Sequence, residues 1–328
     1  YIEYMDLLDK KGRAQMKTYF TGITVPILTP CTQDGRLDEK RFCEHIGFLE
    51  QADVSGIFIG GTTGEFVNFS AEERMHQLAL ACRSTDRLNV LYNITSMNRE
   101  EMQRHIDFAG EMGISCVSVT APIYHKYYNS ALTEYFAQVS EMTKGLTLFI
   151  YNMPDMTGNP IATGLLPQLI KRCPNLKGIK DSSMNFTTLQ EFYFVAPEGF
   201  EVITGNDAEI LASLQLGCRG AIVALANVYP ELCVGVYDCY QSGDLETAQL
   251  CQQALLRLRQ ACRATIPVMS HKYLLELRNV PMGEAHFPMR SLKESEKELL
   301  REASRSVQHM LQHSSVIGGS SAVPDKNK

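Results

Sequence analysis

The chain has 328 residues, 45% of them hydrophobic and 21% charged, with a formal net charge of −6 at pH 7. That size and apolar content suit one large domain with a smaller appendage and exclude a disordered or fibrous chain. The negative charge excludes nucleic acid as a partner, since phosphates demand a basic face.

Residues 1–20 mix acids and bases without the apolar core of a signal peptide, and no apolar run approaches the roughly 18 residues of a membrane span. We expect an N-terminal extension here, a cytoplasmic location and no membrane partner. The ten cysteines are scattered with no C-x-x-C pair, which reads as reduced core thiols. His309 and His313 stand four apart on a helical pattern near the C-terminus, but an exposed face accounts for them, and no metal is expected.

From residue 21 onward, short β-rich runs bounded by Gly, Pro or Asn recur at 22–28, 56–59, 89–92, 116–120, 147–151, 176–180, 201–204 and 220–223. Apolar residues at helical spacing lie between them: Phe42, Ile46 and Leu49; Met75, Leu78 and Cys82; Met102, Ile106 and Ala109; Leu132, Phe136 and Val139; Leu166, Leu169 and Ile170; Ile210, Leu211 and Leu214. Ser70 with Glu73 and Asn98 with Glu101 mark helix starts, where the first side chain takes an orphan N–H and the acid suits the dipole.

Eight βα units with nearly unbroken apolar strands, and no glycine fingerprint at the first turn, favour a closed (β/α)8 TIM barrel over an open doubly wound sheet. The α/β barrel is expected to span 21–228. Helical spacing alone continues over 231–241, 245–262, 268–278 and 294–312, so 229–313 reads as a C-terminal helical appendage. Residues 314–328 carry too little apolar surface to offset ordering entropy and read as a disordered tail.

Catalytic groups of such barrels project from the C-terminal ends of the strands. Lys180 ends the sixth run after Leu176, Gly178 and Ile179, which sets its side chain over the barrel mouth. A desolvated ammonium loses its proton to become the amine that attacks a carbonyl; the plainer alternative is a lysine that points to water. Tyr151 ends the neighbouring run with a phenol at the same rim, able to move protons or merely to make one structural hydrogen bond. The segment Gly60-Gly61-Thr62-Thr63-Gly64-Glu65 offers backbone N–H groups and two hydroxyls that can hold a carboxylate, or it is simply a turn. It lacks the lysine of a phosphate-binding P-loop.

Together these positions furnish an amine, a proton carrier and a carboxylate anchor. The run Gly61-Thr62-Thr63-Gly64-Glu65, then Tyr151-Asn152-x-Pro154, then Gly178-Ile179-Lys180-Asp181, with Gly205-x-Asp207 and Asn227 beyond, resembles the dihydrodipicolinate synthase and N-acetylneuraminate lyase superfamily over roughly 21–300. The resemblance implies a class I lyase whose Lys180 forms an imine with pyruvate or another 2-keto acid, with no cofactor beyond that covalent link. It further implies that Tyr151 shuttles protons, that Thr62 and Thr63 contact the hydroxyl relay and the carboxylate, and that Tyr124 is lent across a dimer interface of a homotetramer.

Two departures bear on the substrate. Where the lysine-pathway synthase has an arginine two residues after the Tyr-Asn-x-Pro proline, this chain has Met156, which cannot grip a second carboxylate. Where the sialic acid lyase pattern has an acid and a serine, it has Ala208 and Ala224. Asp207, Asn206 and Ser182, with Gly205 beside them, remain for substrate hydroxyls, and Ile123, Met153, Met156 and Leu225 for an apolar wall. Asp207 serves equally as the N-cap of a helix over 208–216. Reversible aldol cleavage of a 2-keto-3-deoxy sugar acid to pyruvate and an aldehyde is expected. A synthase or dehydratase working through the same imine, and a non-enzymatic keto-acid sensor, are the alternatives.

Overall fold

The computed structural model describes residues 19–313. Residues 1–18, nearly all of the expected extension, and 314–328, the expected tail, lie outside the described residues, as does the side chain of His313.

Eight strands, β1 (Gly22–Pro26), β2 (Gly56–Ile59), β3 (Asn89–Asn93), β4 (Cys116–Thr120), β5 (Thr147–Asn152), β6 (Leu176–Asp181), β7 (Glu201–Thr204) and β8 (Gly220–Ile222), follow one another around the sheet. All pairings are parallel, and β8 returns to β1 to close the barrel. The first strand stops before the expected residue 28 because the Leu28 N–H leaves the ladder and donates to Asn227 Oδ1 at 3.0 Å.

Alternation along each strand sorts the residues. Phe149 and Tyr151 of β5 point into the barrel with Phe58, Leu91, Ile203 and Ile222, while Leu148 and Ile150 meet the surrounding helices. Gly178 of β6 makes room for this filling: a Cβ there would lie 2.2 Å from Phe149 Cε1 and 2.8 Å from Glu201 O. Two residues further along β6, on the same face, comes Lys180.

The helices are α1 (Glu39–Gln51), α2 (Ala71–Ser84), α3 (Arg99–Glu111), α4 (Asn129–Met142), the single turn α5 (Pro154–Thr157), α6 (Leu166–Arg172), α7 (Phe186–Val195), α8 (Ile210–Leu216), α9 (Pro230–Ser242), α10 (Leu245–Arg263), α11 (Pro267–Leu277) and α12 (Glu294–His313). Both expected caps form: Ser70 Oγ takes the Glu73 N–H while Glu73 returns a bond to the Ser70 N–H, and Asn98 takes the Glu101 N–H at 3.0 Å.

Two elements depart from the sequence reading. α7, the helix of the sixth βα unit, was not placed by residue, because Phe186, Thr187, Thr188, Phe192, Tyr193 and Phe194 are weak helix formers. It is held by the Asn185 cap and by buried Leu189 and Phe192. α9 packs against β1 through a face with buried Leu232, Cys233 and Val236, so it completes the ring of helices, and the appendage begins with α10. Among the described residues, no helix is long and apolar enough to cross a membrane.

Candidate active site

The parallel register of β5 and β6 sets Tyr151 opposite Lys180 and Asn152 opposite Asp181. Asn152 Nδ2 donates to Asp181 Oδ1 at 2.6 Å, Asn152 Oδ1 accepts the Ile161 N–H, and Ser183 Oγ donates to Asp181 Oδ2 at 2.7 Å. This buried network fixes the rim at the point where the amine and phenol stand.

Lys180 is 4% exposed. Its Nζ lies 4.2 Å from the centre of the Tyr151 ring and 5.0 Å from that of Phe58, so two ring faces hold water off the nitrogen. Burial lowers the ammonium from its usual 10.5 to about 7, against a smaller opposing pull from Asp207. A substantial fraction of the amine is therefore neutral near pH 7, which is the form that adds to a carbonyl.

Tyr151 is 2% exposed, and burial raises its phenol above the ordinary value while bonds from Thr62 and Ser182 pull the other way. It remains a protonated hydroxyl at neutral pH, with its oxygen 3.2 Å from Thr62 Oγ1. A phenol, a threonine hydroxyl and a serine hydroxyl thus form a chain able to pass a proton beside the amine.

The loop bearing Thr62 and Thr63 is clamped. The Gly64 N–H donates to Gly61 O at 3.1 Å and the Glu65 N–H to Thr62 O at 3.0 Å, while Thr29 Oγ1 donates to Gly64 O at 2.8 Å. Glu65 sits in the left-handed region with φ 59° and buries its carboxylate 2.8 Å from Lys272 Nζ of α11. Both side chains are almost fully inaccessible, so removing one charge strands the other. Lys272→Met is expected to lower unfolding stability by about 3 kcal/mol, read from urea midpoints at constant m.

Gly205 has a spatial role. A Cβ at this position would come 1.9 Å from Ser182 Oγ, 2.9 Å from Lys180 Cε and 3.0 Å from Asp181 O. Gly205→Ala should therefore displace the Lys180 side chain and lower kcat by about 100-fold, the scale of an ångström-sized misplacement. A kcat within threefold of the parent would show that the lysine accommodates the methyl group.

A cavity of about 300 Å³ opens over the amine. Of the residues expected there, Thr62, Thr63, Tyr151, Lys180, Ser182, Gly205, Asp207, Met153, Met156 and Leu225 line it. Gly61 instead holds the turn behind the two threonines. Ile123 borders a separate small cavity with Phe66 and Met97. Asn206 turns away: its Oδ1 takes the Ala208 N–H and its Nδ2 donates to Glu209, so Asn206, not Asp207, caps the helical turn. Asp207 Oδ1 accepts the Leu225 N–H at 2.8 Å.

Tyr124 is 91% exposed, with φ 78°, and its ring packs edge-on with His125; it is not among the residues that line the cavity. Among the lining residues that were not anticipated are Asp155 of α5, Arg259 and Arg263 from α10, and His271 from α11. Burial holds the His271 imidazole below its ordinary value, hence neutral.

A closed (β/α)8 barrel carrying a buried, near-neutral lysine beside a phenol at its C-terminal rim defines a Schiff-base-forming lyase. The chain belongs to the dihydrodipicolinate synthetase family, whose model matches residues 19–307. It is 32% identical over 286 residues to 4-hydroxy-tetrahydrodipicolinate synthase of Methanoculleus marisnigri, covering 86% of this chain and 97% of the relative. It is also 32% identical over 269 residues to the Escherichia coli protein named Probable 2-dehydro-3-deoxy-D-pentonate aldolase YjhH, covering 80% and 89%. Among solved structures, YagE of E. coli K12, a prophage protein of the same family crystallised with pyruvate, superposes with a TM-score of 0.85 at 30% identity, covering 89% of this chain and 99% of that one.

Proposed function

We propose that this protein cleaves a 2-keto-3-deoxy sugar acid reversibly to pyruvate and an aldehyde, through an imine on Lys180. The observation that carries the reading is the 4%-exposed Lys180 amine, brought to about 7 by burial and seated on the Tyr151 ring.

The neutral amine adds to C2 of the keto acid, and the hydroxyl formed there leaves as water with a proton from solvent, giving an iminium. Tyr151, passing its own proton through Thr62 and Ser182 to solvent, takes the proton of the C4 hydroxyl. As that hydroxyl becomes the aldehyde carbonyl, the C3–C4 bond breaks and its electrons flow into the iminium. The resulting enamine is protonated at C3, and hydrolysis releases pyruvate and the free amine. The iminium is the electron acceptor, so the residues in hand complete the cycle without a metal or a further cofactor. Thr63 is assigned to the substrate carboxylate.

The relatives support this substrate class: one is named for a 2-dehydro-3-deoxy sugar acid, and another was crystallised with pyruvate. Met156 weighs against condensation with a carboxylate-bearing aldehyde in the manner of the lysine-pathway synthase, because it is 66% exposed at the cavity mouth and carries no charge. A non-enzymatic sensor has no use for a buried amine whose burial costs stability.

We assign Tyr124 to the relay of a second copy in a homotetramer, since a left-handed, 91%-exposed tyrosine calls for an occupied interface. All ten cysteines are free thiols, which suits the cytoplasm. The test is borohydride reduction of the protein with pyruvate, followed by peptide mass mapping. Mass gained on the peptide that holds Lys180 supports the proposal, and an unmodified Lys180 refutes it.

A further inference from the structure

The cavity over Lys180 contains charge that the cleavage chemistry does not use. Arg259 and Arg263 stand one turn apart on α10, and both line it. Arg259 is half-buried, and its Nη2 lies 3.3 Å from Met184 Sδ, an uncharged thioether on the same wall. Among the described residues, no carboxylate lies within 4.0 Å of either guanidinium. Arg263 repels Arg259, and Asp207 and Glu209 act on it only from further off.

Other arginines of the chain are matched: Arg104 with Glu72, Arg278 with Glu231, Arg290 with Glu296. Two guanidinium groups one turn apart on one cavity wall, Arg259 half-buried and Arg263 exposed, form a receptor for an oxyanion, which can accept two parallel N–H bonds from a fork.

We infer that Arg259 and Arg263 bind an acidic group at the far end of the aldehyde fragment, so that the substrate is a 2-keto-3-deoxy acid with a second anionic terminus, carboxylate or phosphate. The inference rests on Lys180 forming the imine at the near end. Met156 leaves α5 without a guanidinium, and α10 supplies two from a different element. Asp207, tied through one oxygen to the Leu225 N–H, lies in the same cavity and suits a hydroxyl between the two acid ends.

The experiment begins with borohydride trapping of pyruvate, which establishes the imine independently. Pyruvate release is then compared for six-carbon 2-keto-3-deoxy acids of one stereochemistry that end in CH2OH, in carboxylate or in CH2-phosphate. An acidic terminus should raise kcat/KM by about tenfold to 100-fold over the neutral one, the range of charge-assisted bonds. The carboxylate and phosphate arms identify which acid the site takes.

In Arg259→Ala that preference should shrink at least about tenfold, mainly through KM, with partial recovery in Arg259→Lys, a point charge without the fork. Arg263→Ala, at an exposed position that the fold does not need, should shift the preference the same way. Equal or better turnover of the neutral substrate overturns the inference, as does a preference that survives loss of both arginines. Failure to trap pyruvate on Lys180 brings down the aldolase reading, and this inference with it; trapping without discrimination sinks the inference alone.

Discussion

Lys180→Met is expected to lower pyruvate release by roughly 10⁴-fold or more, the scale on which loss of a covalent nucleophile is felt, and to abolish borohydride trapping of pyruvate. Methionine keeps the length and apolar stem while removing the nitrogen, so the packing against Phe58 and Tyr151 persists. The parent enzyme should gain activity as pH rises through about 7, because the neutral amine is the reactive form. Stability carries the complementary signature. The native amine titrates near 7 and the unfolded one near its usual 10.5, so the unfolded chain binds more protons between those values. The cost of burying the ammonium is therefore greatest below pH 7 and fades as pH approaches 10.5. Thermal midpoints should show Lys180→Met more stable than the parent at pH 6.5, with the difference shrinking by pH 9. A variant no more stable at pH 6.5 would mean that the amine is not desolvated.

The barrel is legible in the sequence because two physical signals agree. Strands buried on both faces read as apolar runs, and each is followed by helical spacing. Strand ends then name the rim, which is why Lys180 and Tyr151 could be singled out before any coordinates. The signals fail where they underdetermine geometry. Helical spacing over 231–241 reveals a helix but not its layer, so α9 was separated from the ring that it completes. Neighbouring Asn206 and Asp207 both suit a cap; the extended backbone of Asn206 decides between them, and that is a tertiary fact. Arg259, Arg263 and His271 lie some eighty to ninety residues beyond Lys180, on helices that only the folded chain brings over the barrel mouth. Tyr124 poses the opposite difficulty: its expected role belongs to an assembly, and the single chain shows only an exposed ring on a strained backbone.

Tyr151→Phe separates the proposed proton carrier from the amine. The substitution deletes one oxygen and leaves the ring that covers Lys180 at 4.2 Å and meets Phe58 edge-on at 5.6 Å. Burial of the amine, and with it the depression to about 7, should survive, so pyruvate should still be trapped on Lys180 over a long incubation. What disappears is the acceptor proposed for the C4 hydroxyl proton, and the link to Thr62, 3.2 Å away. We expect kcat to fall by about 10³-fold, within the range of general acid–base contributions, with KM little changed. The stranded Thr62 hydroxyl should cost about 1 kcal/mol of stability. The rise in rate through about pH 7 should remain in the variant, because it belongs to the amine. A Phe variant that keeps kcat within threefold would move the proton transfer to another group, and one that loses trapping would show that the phenol is needed to make the imine as well as to break the C3–C4 bond.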